Sequence, residues 1–102
     1  MAAGLDAAPT MFSASSRPRL APKARLRFDR KTERYMLLYP EKGMVLNPTA
    51  ADVLQLCTGE HTVTAIVERL AAKYDQDIGQ VEGEVLQFLS TMAERGLVGE
   101  TS

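Results

Sequence analysis

Tryptophan is absent from this chain of 102 residues, and only six aromatic side chains are present, three Tyr and three Phe. A core this poor in large rings must be packed mainly from Leu, Val, Ile and Met. A single cysteine, Cys57, excludes an internal disulfide and suits a reducing cytoplasm. With one histidine, His61, the chain falls short of the three or four converging His, Cys, Asp or Glu ligands that a metal site needs. Neither phosphate cradle, GxGxxG or GxxxxGK followed by Ser or Thr, occurs. No stretch approaches the ~18 consecutive apolar residues of a membrane span. Met1 to Ser16 is rich in Ala and Ser, and it lacks the basic start and unbroken apolar block of a secretory signal. These absences point to a cytoplasmic, non-catalytic protein without metal or cofactor, one that acts by binding and does not associate with membranes.

What is present fits one domain. The chain is 45% hydrophobic and 25% charged, an ordinary globular balance, and its length allows one small core. Residues 1–16 are expected to form a disordered tail, residues 17–99 the domain and residues 100–102 its C-terminal end. The net charge of −1 hides a strong polarity. Residues 17–34 carry eight bases against Asp29 and Glu33, a net of +6, whereas residues 52–102 carry nine acids against Arg69, Lys73 and Arg95, a net of −6.

Patterning divides the domain in two. Pro18 and Pro22 keep the lead-in extended. Arg25-Leu26-Arg27-Phe28 alternates polar and apolar, as a half-buried strand does. Arg34 to Tyr39 is apolar enough to be covered on both faces and predicts a central strand. Pro40 to Gly43 predicts a tight turn, which returns the chain through Met44-Val45-Leu46 as a short edge strand. Asn47 then caps a helix whose first position is Pro48, so the strand ends where the helix begins. Ala50, Val53, Leu54 and Cys57 share its apolar side, and Gly59 ends it in a left-handed conformation. Thr62 caps a second helix, with Val63, Ile66, Val67, Leu70 and Tyr74 at period 3.6. Asp77 and Gln80 form a capping box for a third helix that stops at Gly96. Leu97-Val98 adds a small strand or simply packs. The order β-β-β-α-α-α predicts an α+β fold: a small three-stranded antiparallel sheet followed by a three-helix bundle, of winged helix-turn-helix type.

The apolar residues of the third helix (Ile78, Val81, Val85, Phe88, Leu89 and Met92, with Leu86 and Ala93 beyond) span roughly 160° at ~100° per residue, more than a core-lining stripe needs. The surplus serves a second contact, or else meets the needs of a helix wedged between a sheet and two neighbours; the pattern leaves both open. Glu82, Glu84 and Glu94 against Arg95 disfavour insertion of this helix among DNA phosphates, so no nucleic-acid partner is expected. An edge strand at Met44, Val45 and Leu46 offers free backbone groups to an extended peptide, a groove beside the third helix can add apolar contact, and Arg25 and Arg27 can attract an acidic peptide at longer range.

Leu46-Asn47-Pro48-Thr49-Ala50-Ala51 with Leu54, then Leu56-Cys57-Thr58-Gly59, Val63, Ile66, Leu70 and Tyr74, and finally Phe88-Leu89 and Gly96-Leu97-Val98, together resemble the PqqD family of pyrroloquinoline quinone biosynthesis. The resemblance covers about residues 17 to 99; Thr58 stands where the family commonly has an acidic residue. It implies a peptide chaperone, the simplest form of the recognition element for ribosomally made, modified peptides. Such a protein binds the precursor PqqA and presents it to the radical S-adenosylmethionine enzyme PqqE. It further implies that the guest adds to Met44, Val45 and Leu46 and rests against the third helix at Val81, Val85, Leu86 and Leu89. Members occur as monomers or exchanged dimers; recognition of another system's leader peptide is the first alternative, and a winged-helix DNA-binding protein, disfavoured by the acidic third helix, is the second.

Overall fold

The computed structural model describes residues 12–40 and 42–100. Its order is β1 (Pro18–Leu20), β2 (Arg25–Asp29), β3 (Arg34–Tyr39), β4 (Lys42–Val45), α1 (Pro48–Gln55), α2 (Val63–Tyr74), α3 (Ile78–Glu94) and β5 (Val98–Glu100). The fold is α+β: β2, β3 and β4 form a small antiparallel sheet with β3 in the centre, and three helices follow. The predicted third strand is β4, which starts two residues earlier than Met44 and ends one residue before Leu46.

A second, two-stranded sheet joins the lead-in to the end of the domain. Pro18 pairs with Glu100 and Leu20 with Val98. On its other side β1 meets the turn after α1, where Leu20 N–H donates to Cys57 O (3.1 Å) and Gly59 N–H to Pro18 O (3.0 Å). The extended geometry forced by proline thus becomes a strand, because partners wait on both sides. Residues 12–16, expected in the tail, are also docked. Ser16 is buried, and its carbonyl accepts from Val63 N–H (2.9 Å), while Ala14 O accepts from both Thr64 N–H and its hydroxyl (3.0 Å each). The first amides of α2 have no partner within their helix, and this segment satisfies two of them. Residues 1–11 of the expected tail, and residues 101 and 102, lie outside the described residues.

Each helix starts on the residue its sequence indicates. Asn47 Oδ1 accepts from Ala50 N–H at 2.7 Å, Thr62 Oγ1 from Ala65 N–H at 3.1 Å, and Asp77 Oδ2 from Gln80 N–H at 3.0 Å. Only half of the predicted capping box forms, because the Gln80 amide turns forward to Glu84. α1 stops at Gln55, short of Gly59, although Gly59 does take the left-handed conformation (φ 88°). Gly96 (φ 74°) closes α3: its N–H donates to Ala93 O, and Leu97 N–H donates to Met92 O.

The core gathers Leu37 from the sheet, Leu46 from the junction before α1, Val53 and Leu54 from α1, Val63, Ile66, Val67 and Leu70 from α2, Val81, Val85, Leu89 and Met92 from α3, and Leu97 and Val98 beyond. The buried stripe of α3 is narrower than its apolar content. Ile78 is exposed, and Leu86, Phe88 and Ala93 are half-buried. Cys57 lies in this core, its thiol donating to Val53 O at 3.2 Å, and burial pushes its pKa from 9.0 up to about 12. The folded thiol therefore resists alkylation by iodoacetamide at pH 8, and reaction is expected to wait for denaturant. Between pH 9.0 and about 12 the unfolded chain binds fewer protons at this group than the folded one, so its linkage lowers stability as pH rises through that window. A pH series of urea melts checks the sign.

Candidate functional site

The register across β3 and β4 fixes which backbone groups of β4 are available. Tyr35 stands opposite Leu46, Met36 opposite Val45, Leu37 opposite Met44 and Leu38 opposite Gly43. Leu46 N–H donates to Tyr35 O at 2.9 Å, so Leu46 is an inward-bonding position. In an antiparallel ladder such positions alternate, which directs the N–H and C=O of Met44 toward β3 and those of Val45 and Gly43 away from it. β4 is an edge of its sheet, and among the described residues no strand pairs with that outer side. The free ladder thus consists of Gly43 and Val45. Of the three strand residues named from the sequence, Val45 alone presents outward; Met44 is half-buried, and the Leu46 side chain is buried. Gly43 was not named because the sequence places it in the turn from Pro40 to Gly43; the strand instead begins at Lys42, so Gly43 belongs to the ladder opposite Leu38.

Two residues past Val45, at Asn47, a groove of about 400 Å³ begins. Asn47, Thr49, Ala50 and Val53 form one wall, Leu70, Tyr74 and Gln76 close the end, and Gln80, Val81, Glu84, Val85 and Phe88 of α3 form the other wall. The groove exists because α3 packs mainly on α2 and β5 and leaves the corner at the start of α1 unfilled. Val81 and Val85 are its floor, at 4% and 2% exposure, while Phe88, Ala50 and Tyr74 are half-buried and available to a guest. Leu86 and Leu89 do not line it. At ~100° per residue they project 140° and 80° from Val81, whereas Glu84 and Phe88 lie on its opposite side at −60° and −20°. Leu89 is fully buried in the core. Phe88 belonged to the broad apolar face read from the sequence, and its spacing of i+7 from Val81 and i+3 from Val85 was the signal that could have found it.

One end of the groove is braced by an ion pair. Lys73 Nζ donates to Asp52 Oδ2 at 2.9 Å, and the Tyr74 hydroxyl donates to the same carboxylate oxygen. Those bonds raise the pKa values of both Lys73 and Tyr74. Asp52 is on α1 and the other two end α2, so the carboxylate sets the Tyr74 ring at the groove's end.

Arg25 and Arg27 lie elsewhere. They sit on β2, the far edge of the sheet from β4, and contribute nothing to the groove lining. Among the described residues no group of three or more His, Cys, Asp or Glu could hold a metal ion, and no helix is long and apolar enough to cross a membrane.

A small antiparallel sheet with an open edge, followed by three helices that leave a groove beside it, defines a known class of domain. A solved structure of that class, the PqqD part of Methylobacterium extorquens PqqCD, described as a stand-alone recognition element for ribosomally synthesized and post-translationally modified peptides, superimposes with a TM-score of 0.76 at 37% identity, covering 89% of this chain and 97% of that one. Lasso peptide synthetase B1, solved with its leader peptide, shares the fold at a TM-score of 0.70 and 20% identity, over 80% of this chain and 96% of that one. The chain belongs to the PqqD family: residues 34–98 match the family described as coenzyme PQQ synthesis protein D. A "PqqA binding protein" from Rhodopseudomonas palustris strain BisB5 is 38% identical over 88 residues, 86% of each chain.

Proposed function

We propose that this protein is a cytoplasmic, non-catalytic peptide chaperone that binds PqqA by strand addition along Gly43 and Val45 and presents it to PqqE. We read the sheet and helices as a winged helix-turn-helix type of frame put to this use. The observation that carries the reading is an outward-facing pair of edge residues running directly into a groove with an apolar floor. Gly43 and Val45 offer four backbone groups, and four hydrogen bonds at about 0.5–1.5 kcal/mol each give roughly 2–6 kcal/mol. Association costs at least about 4 kcal/mol, so the ladder alone does not hold a guest. Apolar guest side chains in the groove, worth about 1.5–3 kcal/mol each when fully buried, bring the total into the micromolar range, near −8 kcal/mol. The names of the relatives support PqqA as the guest.

Titrating isotope-labelled protein with synthetic PqqA is the direct test. The expected result is a 1:1 complex with a Kd on the order of a micromolar or tighter, in which amide shifts cluster at Gly43, Val45, Gln80, Glu84 and Phe88. Shifts confined to β2 and residues 12–16, with Gly43 and Val45 silent, would sink the reading.

A further inference from the structure

The sheet has a second face on which no described element packs closely. Alternation sends Leu26, Tyr35, Leu37, Met44 and Leu46 toward α1 and the core, and therefore sends Arg25, Arg27, Met36, Leu38 and Val45 the other way. The register aligns these outer residues in rows. Arg27, Met36 and Val45 stand side by side across the sheet, as do Arg25, Leu38 and Gly43. The Met36 and Leu38 side chains close over Gly43, where a Cβ would meet Met36 Cε and Leu38 Cδ2 at 3.3 Å each. Val45 is 57% exposed, while Met36 and Leu38 are half-buried. The outcome is a short apolar strip with guanidinium groups along one side. Asp29 and Arg34 stand opposite each other at the far end of the same face, which leaves three guanidinium groups against one carboxylate, and among the described residues no ion pair joins Arg25 or Arg27 to a carboxylate.

We propose that this outer face docks a partner protein that presents an apolar centre flanked by carboxylates, and that this partner is the enzyme receiving the guest peptide; the proposal rests on the strand-addition reading above. Charge complementarity selects an acidic surface, and the apolar strip selects protein over a simple polyanion. Position selects the enzyme. A strand added to β4 lies about 4.8 Å beyond it and continues both faces of the sheet. Half of the guest's side chains then point to the groove side, and the alternate half emerge on the outer face beside Val45. A body seated on Met36, Leu38 and Val45 therefore meets those alternate side chains. The chaperone grips one set and exposes the other.

The test uses the full chain, synthetic PqqA and purified PqqE, with peptide and enzyme affinities measured separately by calorimetry. Met36→Asp places a carboxylate in the strip, and Met36→Lys alters the same site with the opposite sign. Met36→Asp is expected to weaken enzyme binding by at least about 10-fold and Met36→Lys by at least about 3-fold less than Met36→Asp, since both lose the apolar contact and the Asp variant adds like-charge repulsion against the partner's carboxylates. Both should bind PqqA within about 2-fold of the parent chain. Thermal melts verify folding, and a Met36→Asp variant that unfolds is replaced by Arg27→Glu, read by enzyme affinity alone. A folded Met36→Asp or Arg27→Glu variant with unchanged enzyme affinity overturns the proposal. So does a parent dimer, seen by sedimentation, that Met36→Asp dissociates, because the face would then belong to a second copy. So do methyl shifts at Met36 and Leu38 on deletion of residues 1–11, which would assign the face to the chain itself. Failure of the parent chain to bind PqqA tells against the strand-addition reading, and is seen in the peptide titration without any enzyme present.

Discussion

Leu89→Ala should lower the stability of this domain by about 2–5 kcal/mol while leaving the peptide affinity of the folded protein within about 2-fold. Leu89 has no exposed surface and stands in the α3 stripe with Val81, Val85 and Met92. Truncating it removes buried methyl groups and leaves a void that a core of small aliphatic residues closes only in part. Domains of this size hold about 5–15 kcal/mol in total, so the loss is large, and a midpoint lower by at least ~10 °C is expected in a thermal melt. Phe88→Ala is the informative neighbour. Its half-buried ring lies on the groove wall, so it should cost less stability than Leu89→Ala and more affinity. A Leu89→Ala protein that melts normally but no longer takes up peptide would mean that the guest contacts the other flank of α3.

Val45→Pro should weaken PqqA binding by about 2- to 10-fold, the value of one net hydrogen bond, with the fold intact. The Val45 N–H points away from β3, so its removal breaks no bond of the sheet, and proline is tolerated on an edge in that orientation. Met44→Pro supplies the contrast. The Met44 N–H faces Leu37 across the ladder, and deleting it should detach β4 and depress the melting temperature. Val45→Ala keeps the N–H and should bind peptide nearly as the parent does. Equal affinity of a folded Val45→Pro protein would exclude strand addition at this position.

Much of the fold was legible because its signals are local. Asn47, Thr62 and Asp77 cap helices through side chains that reach only three residues forward, and Gly59 and Gly96 take the left-handed conformations their positions suggest. The β1–β5 pairing was not legible, since Pro18–Leu20 and Val98–Glu100 are far apart in sequence and three residues carry no periodic signal. The docking of residues 12–16 was hidden for a similar reason: Ala14 and Ser16 use backbone carbonyls, which every residue possesses.

The candidate site divides along the same line. An edge strand near Val45 and an apolar side to α3 could be read from the pattern. Which flank of α3 stays open could not, because Leu86 and Phe88 are equally apolar and only the packing of α3 on α2 and β5 separates them. Arg25 and Arg27 were assigned by charge to the strand's guest, but they stand two strands away on the opposite side of the sheet from the groove.

The junction at Asn47 and Pro48 has a further effect. Because Asn47 bonds to Ala50 and Pro48 is the first helical residue, there is no slack between the last outward-facing backbone group and the wall of the groove. With a single residue, Leu46, between them, the phase of the ladder relative to the groove is set by the chain itself. On the proposed strand addition, a polypeptide that slides by a single residue inverts every side chain it carries, so a side chain directed at the groove would point to solvent. Discrimination among sequences can thus arise from parity alone, with no dedicated contact for any one side chain.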